Sequence, residues 1–247
     1  EIARMAKKAG IPGRLGTTNR LYHWGNCNKL VRLSRKKSDL HEAQLNLRLA
    51  ARITGEKNTS LREIPPLYGF RPAEPLEEKF RKLIDGDRKA LILHPKSKGS
   101  AREWGLERFK SLAGMLPPEK YQIFISGTDH EEALMKDSGI LEMENVTNLC
   151  GQMSLSQFIA FIAASYGLVA ASTGPLHLAA ALGIRAIGIY PPIRPMHPGR
   201  WAPIGEKAAW LVNDKACSDC REGGSCHCME EIRPEAVKKL IEHGKLI

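Results

Sequence analysis

The chain has 247 residues, of which 43% are hydrophobic, 6% aromatic and 26% charged. A chain of this length can bury a sizeable core, in one large domain or two smaller ones. It contains no apolar run near the roughly 18 to 20 residues of a membrane-spanning helix and no signal-peptide pattern, so we expect a soluble, cytoplasmic protein. The net charge of +10 favours acidic partners, namely phosphorylated substrates or anionic lipid headgroups. Nucleic acid is not expected, because no aromatic-interleaved basic pattern accompanies the charge.

The first 55 residues predict two helices separated by a basic stretch. Apolar residues at helical spacing predict an opening helix, with Gly10 as its C-cap. A short strand is expected at residues 14–17, followed by a basic loop over residues 19–37. A second helix is predicted to begin at a cap formed by Ser38 or Asp39 and to end at Gly55.

A stretch rich in Pro and Gly at residues 64–72 predicts a linker, after which a second domain begins. Short β-like runs then alternate with helical stretches. The runs lie at residues 90–94, 121–125, 146–149 and 208–212, with a strand–turn–helix–strand unit around residues 166–190. This alternation predicts an α/β domain with a doubly wound parallel sheet. We expect the ligand site at the carboxyl ends of its strands.

The turn inside that central unit is the first candidate site. Ser172 and Thr173 are expected to act as capping hydroxyls. Gly174 allows the backbone to approach a ligand closely, Pro175 suits a first helical turn, and His177 adds a side-chain donor. Free N–H groups and the positive end of a helix dipole suit a phosphate or diphosphate. The alternative is an ordinary, well-capped βα unit.

A basic loop between Pro95 and Gly105 is the second candidate site. Three cations and two hydroxyls lie within seven residues around a glycine, and a helix follows. This combination suits a diphosphate, because Lys and Arg supply charge while Gly and the helix start supply amides. The loop is neither a P-loop nor a dinucleotide fingerprint, and a solvated basic loop is the alternative.

The segment from Ser172 to Gly183 resembles the most recognisable motif of the ADP-heptose:lipopolysaccharide heptosyltransferases, glycosyltransferase family 9, which have the two-domain GT-B fold. Asp is common in that family at the position of Ser172. The basic loop is similar to the family's stretch that binds the donor phosphates, with Arg102 in place of a Lys. Ser97 and Lys98 fall on hydroxyl positions of that loop.

Two more donor contacts are implied by the resemblance. Glu131 aligns with a Glu that hydrogen-bonds the donor nucleoside, and Met153 with a residue that lies against the base. Considered without the resemblance, Glu131 suits the acidic first turn of a helix capped by Asp129, and Met153 suits a core position. The full donor-binding set implied by the resemblance is Ser97, Lys98, Arg102, Glu131, Met153, Ser172, Thr173, Gly174 and His177.

The resemblance implies that residues 1–70 are the C-terminal part of an acceptor-binding domain with the linker, and that residues 71–247 bind the nucleotide-sugar donor. The chain begins in mid-pattern and without Met, and we expect the first part of the acceptor domain to be lacking. The implied reaction transfers a heptose from ADP-heptose to a lipopolysaccharide core acceptor. The implied catalytic base is a carboxylate of that lacking part, so none is named here.

The resemblance leaves two other interpretations of the function open. A different GT-B nucleotide-sugar enzyme and a non-catalytic nucleotide-sugar-binding module are the alternatives. No cofactor is expected to be required, because basic residues can take the place of Mg²⁺. Peripheral contact with the anionic inner-membrane surface is expected from the positive charge.

Four of the six cysteines lie close together near the C-terminus, at Cys217, Cys220, Cys226 and Cys228. Four thiolates within 12 residues can close on one tetrahedral zinc ion. The single-residue gap between the last two is unusual for such a site. Reduced thiols or an adventitious disulfide are therefore the alternatives.

Overall fold

The structure, a computed structural model, describes residues 1–35, 38–55, 59–215 and 227–244. Its contacts divide the chain into two compact units, Glu1–Glu63 and Ile64–Ile247. The stretch at residues 64–70, which the sequence assigned to the first domain and its linker, therefore falls in the second unit. Within the described residues, no helix has the length and apolar character needed to cross a membrane.

The first unit is small and contains both helices and strands. In chain order it contains α1 (Ile2–Lys8), β1 (Leu15–Thr17), α2 (Leu21–Trp24), β2 (Lys29–Val31) and α3 (Glu42–Thr54). Strands β1 and β2 pair in parallel, with Gly16 opposite Leu30. The predicted basic loop over residues 19–37 was wrong, because it contains α2 and β2. Elements of three or four residues are too short for hydrophobic periodicity to detect.

Helix α3 begins later than predicted. Its N-cap is His41 rather than Ser38 or Asp39, because the His41 ring accepts a hydrogen bond from Ala43 N while the Gln44 side chain accepts one from His41 N. This reciprocal pair is a capping box. The predicted end at Gly55 is confirmed, since Gly55 adopts a left-handed φ of 80°.

The second unit alternates strands and helices. After a short 3₁₀ helix at Pro65–Leu67, the elements are α4 (Glu78–Arg81), β3 (Lys89–His94), α5 (Leu106–Met115), β4 (Tyr121–Ile125), α6 (Asp129–Ala133), a 3₁₀ helix at Lys136–Ser138, β5 (Val146–Asn148), α7 (Leu155–Ala164), β6 (Gly167–Ala171), α8 (Gly174–Ala181), β7 (Arg185–Tyr190), α9 (Pro198–Trp201), β8 (Ala208–Val212), α10 (His227–Glu230) and α11 (Pro234–His243).

The strands of the second unit form a six-stranded, fully parallel sheet with the strand order β5-β4-β3-β6-β7-β8. Strands β4 and β8 coincide with the predicted runs. The chain reverses its direction of winding between β3 and β6, which is the switch point of a doubly wound sheet.

The sheet is buried on both faces, and alternate residues of each strand belong to different cores. In β3, Leu91 and Leu93 pack into a core that includes residues of α5 and α11. Ile92, between them, packs into a second core that includes residues of α7 and α8. Because successive side chains of a strand point to opposite faces, the continuous apolar run predicts this two-sided burial.

Candidate functional site

A cavity of about 480 Å³ lies at the switch point of the sheet. The carboxyl ends of β3, β4 and β6 meet there, since β3 lies between β4 and β6. This is the position at which doubly wound sheets bind ligands. The lining residues are His94, Ser97, Lys98, Ser100, Ser126, Gly127, Thr128, Glu131, Leu149, Met153, Leu155, Phe158, Thr173, Gly174 and Pro175. All of them belong to the second unit.

The start of α8 supplies one wall of the cavity. Thr173 is the N-cap residue, with extended backbone angles, but its side chain makes no capping hydrogen bond. The prediction that it caps the helix through its hydroxyl was therefore wrong. Thr173 is only 5% exposed, and its Oγ1 is buried without a hydrogen-bond partner in the described parts of the chain. A buried, unpartnered hydroxyl is costly, and such an atom beside a cavity is a reason to look for a ligand.

The basic loop supplies a second wall, and hydrogen bonds between residues of the loop stabilise its shape. Glu103 Oε1 accepts hydrogen bonds from Ser97 N at 3.0 Å and Ser97 Oγ at 3.1 Å, and the other oxygen of Glu103 pairs with Lys96. Lys98, at the tip, is exposed and has a left-handed φ of 48°, and Gly99 follows with a φ of 76°. A lysine rarely adopts this conformation, and such backbone outliers cluster at functional sites.

The start of α6 supplies a third wall. The helix is capped by Thr128 rather than by Asp129 as predicted, because the Thr128 hydroxyl accepts from Glu131 N at 3.3 Å. Glu131 Oε2 in return accepts from Thr128 N at 2.8 Å and completes a capping box. Glu131 is 4% exposed, so this box fixes a buried carboxylate at the cavity edge.

The remaining wall is apolar. Leu149, Met153, Leu155 and Phe158 line it, from the end of β5 into α7. Apolar and thioether side chains of this kind provide a surface for a flat ring such as a nucleobase. The cavity therefore has a polar side, which includes Lys98 and the start of α8, and an apolar side.

His94, the last residue of β3, lies between these walls. Its Nδ1 is 3.0 Å from Ser126 Oγ, and its ring lies 6.5 Å from that of Phe158 between centroids. His94 is 8% exposed, and this burial lowers the pKa of its imidazole, while Glu131 and Glu103 act in the opposite direction. A neutral imidazole is therefore expected in the empty cavity at neutral pH.

Six members of the predicted donor-binding set line this one cavity: Ser97, Lys98, Glu131, Met153, Thr173 and Gly174. The other three do not line it. Ser172 lies in the same turn, close enough to the buried Tyr190 to influence the pKa of its hydroxyl. His177 lies on α8 with its ring centroid 6.5 Å from that of Trp201. Arg102 is partly buried in the basic loop.

Sequence reasoning missed several lining residues. Thr128 and Phe158 were not proposed, because a single hydroxyl or aromatic side chain carries no pattern of its own. His94 did carry a signal, since it ends a buried strand of the sheet. The position of a polar residue directly after an apolar run was the available indication for both His94 and Ser126.

The zinc prediction falls mainly outside the described residues, where Cys217, Cys220 and Cys226 lie. Cys228 is described and is 6% exposed at the start of α10. Within the described ranges, no group of three or more His, Cys, Asp or Glu side chains is arranged to hold a metal ion. The zinc site stays a prediction.

The sequence also contains an Asp-x-Asp pair, Asp85 and Asp87, of the kind that can bind a divalent cation. It precedes β3 and so lies at the amino end of that strand, away from the cavity.

The chain matches relatives whose names concern lipopolysaccharide synthesis. It is 28% identical over 182 residues to lipooligosaccharide heptosyltransferase 2 of Campylobacter jejuni, covering 69% of this chain and 55% of the relative. It is 27% identical over 198 residues to lipooligosaccharide heptosyltransferase 2 of Haemophilus influenzae, covering 73% and 56%. The chain thus spans little more than half the length of these relatives.

Solved structures support the fold. ADP-heptose lipopolysaccharide heptosyltransferase II of Escherichia coli matches with a TM-score of 0.69 at 22% identity, over 98% of this chain and 72% of that one. A family 9 glycosyltransferase of Veillonella parvula matches with a TM-score of 0.74 at 18% identity, over 98% and 70%. The predicted GT-B-type α/β fold is confirmed.

The model of glycosyltransferase family 9 (heptosyltransferase) matches residues 3–228, which is most of the chain. The predicted family resemblance is confirmed by this match. The chain therefore belongs to glycosyltransferase family 9, the heptosyltransferases.

Proposed function

We propose that this chain carries the donor site of a glycosyltransferase that moves a heptose from ADP-heptose to a lipopolysaccharide core acceptor. The observation that carries the proposal is the cavity at the switch point, with Lys98 and the start of α8 on one side and an apolar wall on the other. The family match and the names of the relatives support this choice of substrates.

The cavity suits the two halves of a nucleotide diphosphate. The amides at the start of α8 and the Lys98 ammonium are placed for the diphosphate, because both offer positive charge to an anion. Met153 and Leu149 offer an apolar surface to the base. A structure of the Escherichia coli heptosyltransferase WaaC with ADP, similar in fold with a TM-score of 0.61, supports adenine as the base.

Chemically, the site would act on the leaving group. When the bond between the sugar and the diphosphate breaks, negative charge develops on the departing phosphate oxygen. The N-terminus of α8 is fixed before the reaction, so its amides stabilise this charge without reorganising, and the exposed Lys98 adds a positive charge beside it. The reaction also needs a base that takes the proton from the acceptor hydroxyl.

The first unit suits an anionic acceptor and an anionic surface. Residues 1–63 contain 14 Lys and Arg against five Asp and Glu, so they carry +9 of the net +10. On α2, the side chains of Leu21, Tyr22 and Trp24 are 87%, 56% and 61% exposed. Basic residues beside exposed aromatic and aliphatic ones favour the headgroup region of an anionic bilayer. We therefore propose a cytoplasmic enzyme held peripherally at the inner membrane.

The donor assignment is tested by ligand titration of the purified chain. ADP, UDP and GDP, and their sugars, are added while the thermal midpoint is followed. We expect the adenine series to bind best, and a ligand at a hundred times its Kd to stabilise the fold by about 2.7 kcal/mol. No shift with any nucleotide, in protein shown to be folded, would refute the donor site. A better response to UDP or GDP would favour a different GT-B enzyme.

A further inference from the structure

The side chains of His94 and Ser126 form a buried pair where the cavity walls meet. The Nδ1 atom of His94 lies at hydrogen-bond distance, 3.0 Å, from Ser126 Oγ. No hydrogen bond to Nε2 is found within the described residues, and Nε2 is not among their buried unpartnered atoms. The ring atom that opens on the cavity is therefore Nε2.

The charges that face this ring come from two sides. Glu103 and Lys98 belong to the loop after β3, and Glu131 belongs to α6. The residues that α7 and the start of α8 place around the cavity are uncharged, Phe158 and Thr173 among them. The two carboxylates favour a charged imidazole, but the burial of the ring outweighs them and lowers its pKa.

A bound diphosphate would change the balance between burial and nearby charge that sets the pKa of His94. It brings more negative charge than a single carboxylate, and it would lie within the same small cavity. An opposite charge within about 4 to 6 Å raises the pKa of a histidine. Protonation also turns Nε2 into a certain donor, whatever tautomer the neutral ring has with Ser126.

We propose that His94 is a proton-linked binding residue: it is neutral in the empty cavity, takes one proton from solvent when a diphosphate group binds, and then donates its Nε2–H to a phosphate oxygen. This inference rests on the proposed donor site. It adds that donor binding depends on pH through a single buried side chain.

The direction of the pH dependence follows from the linkage between proton binding and donor binding. The pKa of His94 is low in the empty protein and higher in the complex, so binding takes up a proton between these two values. In that window the affinity falls by up to tenfold for each unit of rising pH. It is constant below the lower value and above the higher one.

The test uses ADP-glucose as the probe, because its two phosphates do not titrate near neutral pH. Its binding to the full chain is measured by calorimetry from pH 5.5 to 8.5. At each pH, two buffers with different ionisation enthalpies give the number of protons taken up. We expect an uptake approaching one proton within the window, and an affinity that weakens as the pH rises.

Two variants locate the proton. His94→Gln keeps an amide donor but cannot titrate, so it should bind with an affinity that hardly changes across the window and with no proton uptake. His130→Gln is the matched control, because His130 is an exposed histidine on α6 that does not line the cavity. It should behave like the wild type. The uptake by the wild-type chain needs no variant, so the test stands even if His94→Gln does not fold.

The outcomes separate this inference from the proposed function. Binding without proton uptake, or an uptake that persists in folded His94→Gln, would overturn the role of His94 and leave the donor site intact. Absence of ADP-glucose binding at every pH would overturn this inference, whereas the donor site itself is refuted only if none of the nucleotides in the thermal titration binds.

Discussion

Lys98 combines two properties that can be measured separately. Its backbone has a left-handed φ of 48°, and its exposed side chain lines the candidate donor cavity. Replacing it by Gly removes both the strain and the ammonium, whereas replacing it by Ala removes only the ammonium. The pair Lys98→Gly and Lys98→Ala therefore separates folding from binding.

The expected change in stability follows from the backbone. A non-glycine residue pays roughly 1 to 2 kcal/mol in the left-handed region. Glycine avoids this cost but loses about 0.5 to 1 kcal/mol more conformational freedom on folding than Ala. We expect Lys98→Gly to be more stable than Lys98→Ala by about 0.5 to 1 kcal/mol, measured by urea denaturation without ligand.

The expected change in binding is the same for both variants. A hydrogen bond to a charged group contributes about 1.5 to 3 kcal/mol, and Lys98 is exposed, so we take the lower end. ADP should bind roughly tenfold more weakly to each variant than to the wild type. Calorimetry at two salt concentrations checks the charge, because the wild-type advantage should shrink in high salt.

Three results would contradict this reasoning. Equal stability of the Gly and Ala variants would mean that the strain at residue 98 is no larger than the conformational cost of glycine. Unchanged ADP affinity in both variants would mean that the ammonium does not reach the diphosphate. An affinity loss in only one variant would show that loop conformation, rather than charge, controls binding.

Three further predictions concern folding and reactivity. Thr173→Val should raise the free energy of unfolding of the empty protein by about 1 kcal/mol in urea denaturation, because it removes a buried hydroxyl without a described partner, whereas Thr173→Ser should give no gain. Gly151→Ala should destabilise by about 1 to 2 kcal/mol in the same assay, because residue 151 has a φ of 68° and a Cβ there would overlap the Asp129 carboxylate. Gly86→Ala, where nothing lies within 4 Å, should cost little, and an equal cost at both glycines would contradict the argument. Burial raises the pKa of the Cys150 thiol to about 12, so at pH 8 it should resist alkylation until the protein unfolds, and peptide mapping that finds it labelled in the folded state would be the contrary result.

The sequence by itself determined the architecture of the second unit. Its strands are buried on both faces, so they appear as short, continuous apolar runs, and the helices between them keep their apolar stripes. The runs at residues 121–125 and 208–212 therefore coincide with β4 and β8. The turn before α8 was also evident, because Gly174 and Pro175 have local conformational preferences that do not depend on distant residues.

Local sequence patterns gave wrong predictions where an element was short or where several residues could cap the same helix. The capping role fell to His41 instead of Ser38 or Asp39, and to Thr128 instead of Asp129. Each of these side chains can cap a helix. The choice depends on which backbone geometry the rest of the fold imposes, and neighbouring residues do not reveal that.

Only the tertiary structure decided which residues share the cavity. Ser97, Glu131 and Thr173 are far apart in the chain and meet because β3 lies between β4 and β6. His177, in contrast, is four residues from Thr173 but does not line the cavity. Sequence gives the chemical groups at the strand ends, because burial and turn chemistry are local. Strand order and side-chain direction determine which of those groups meet, and both are set by packing between distant parts of the chain.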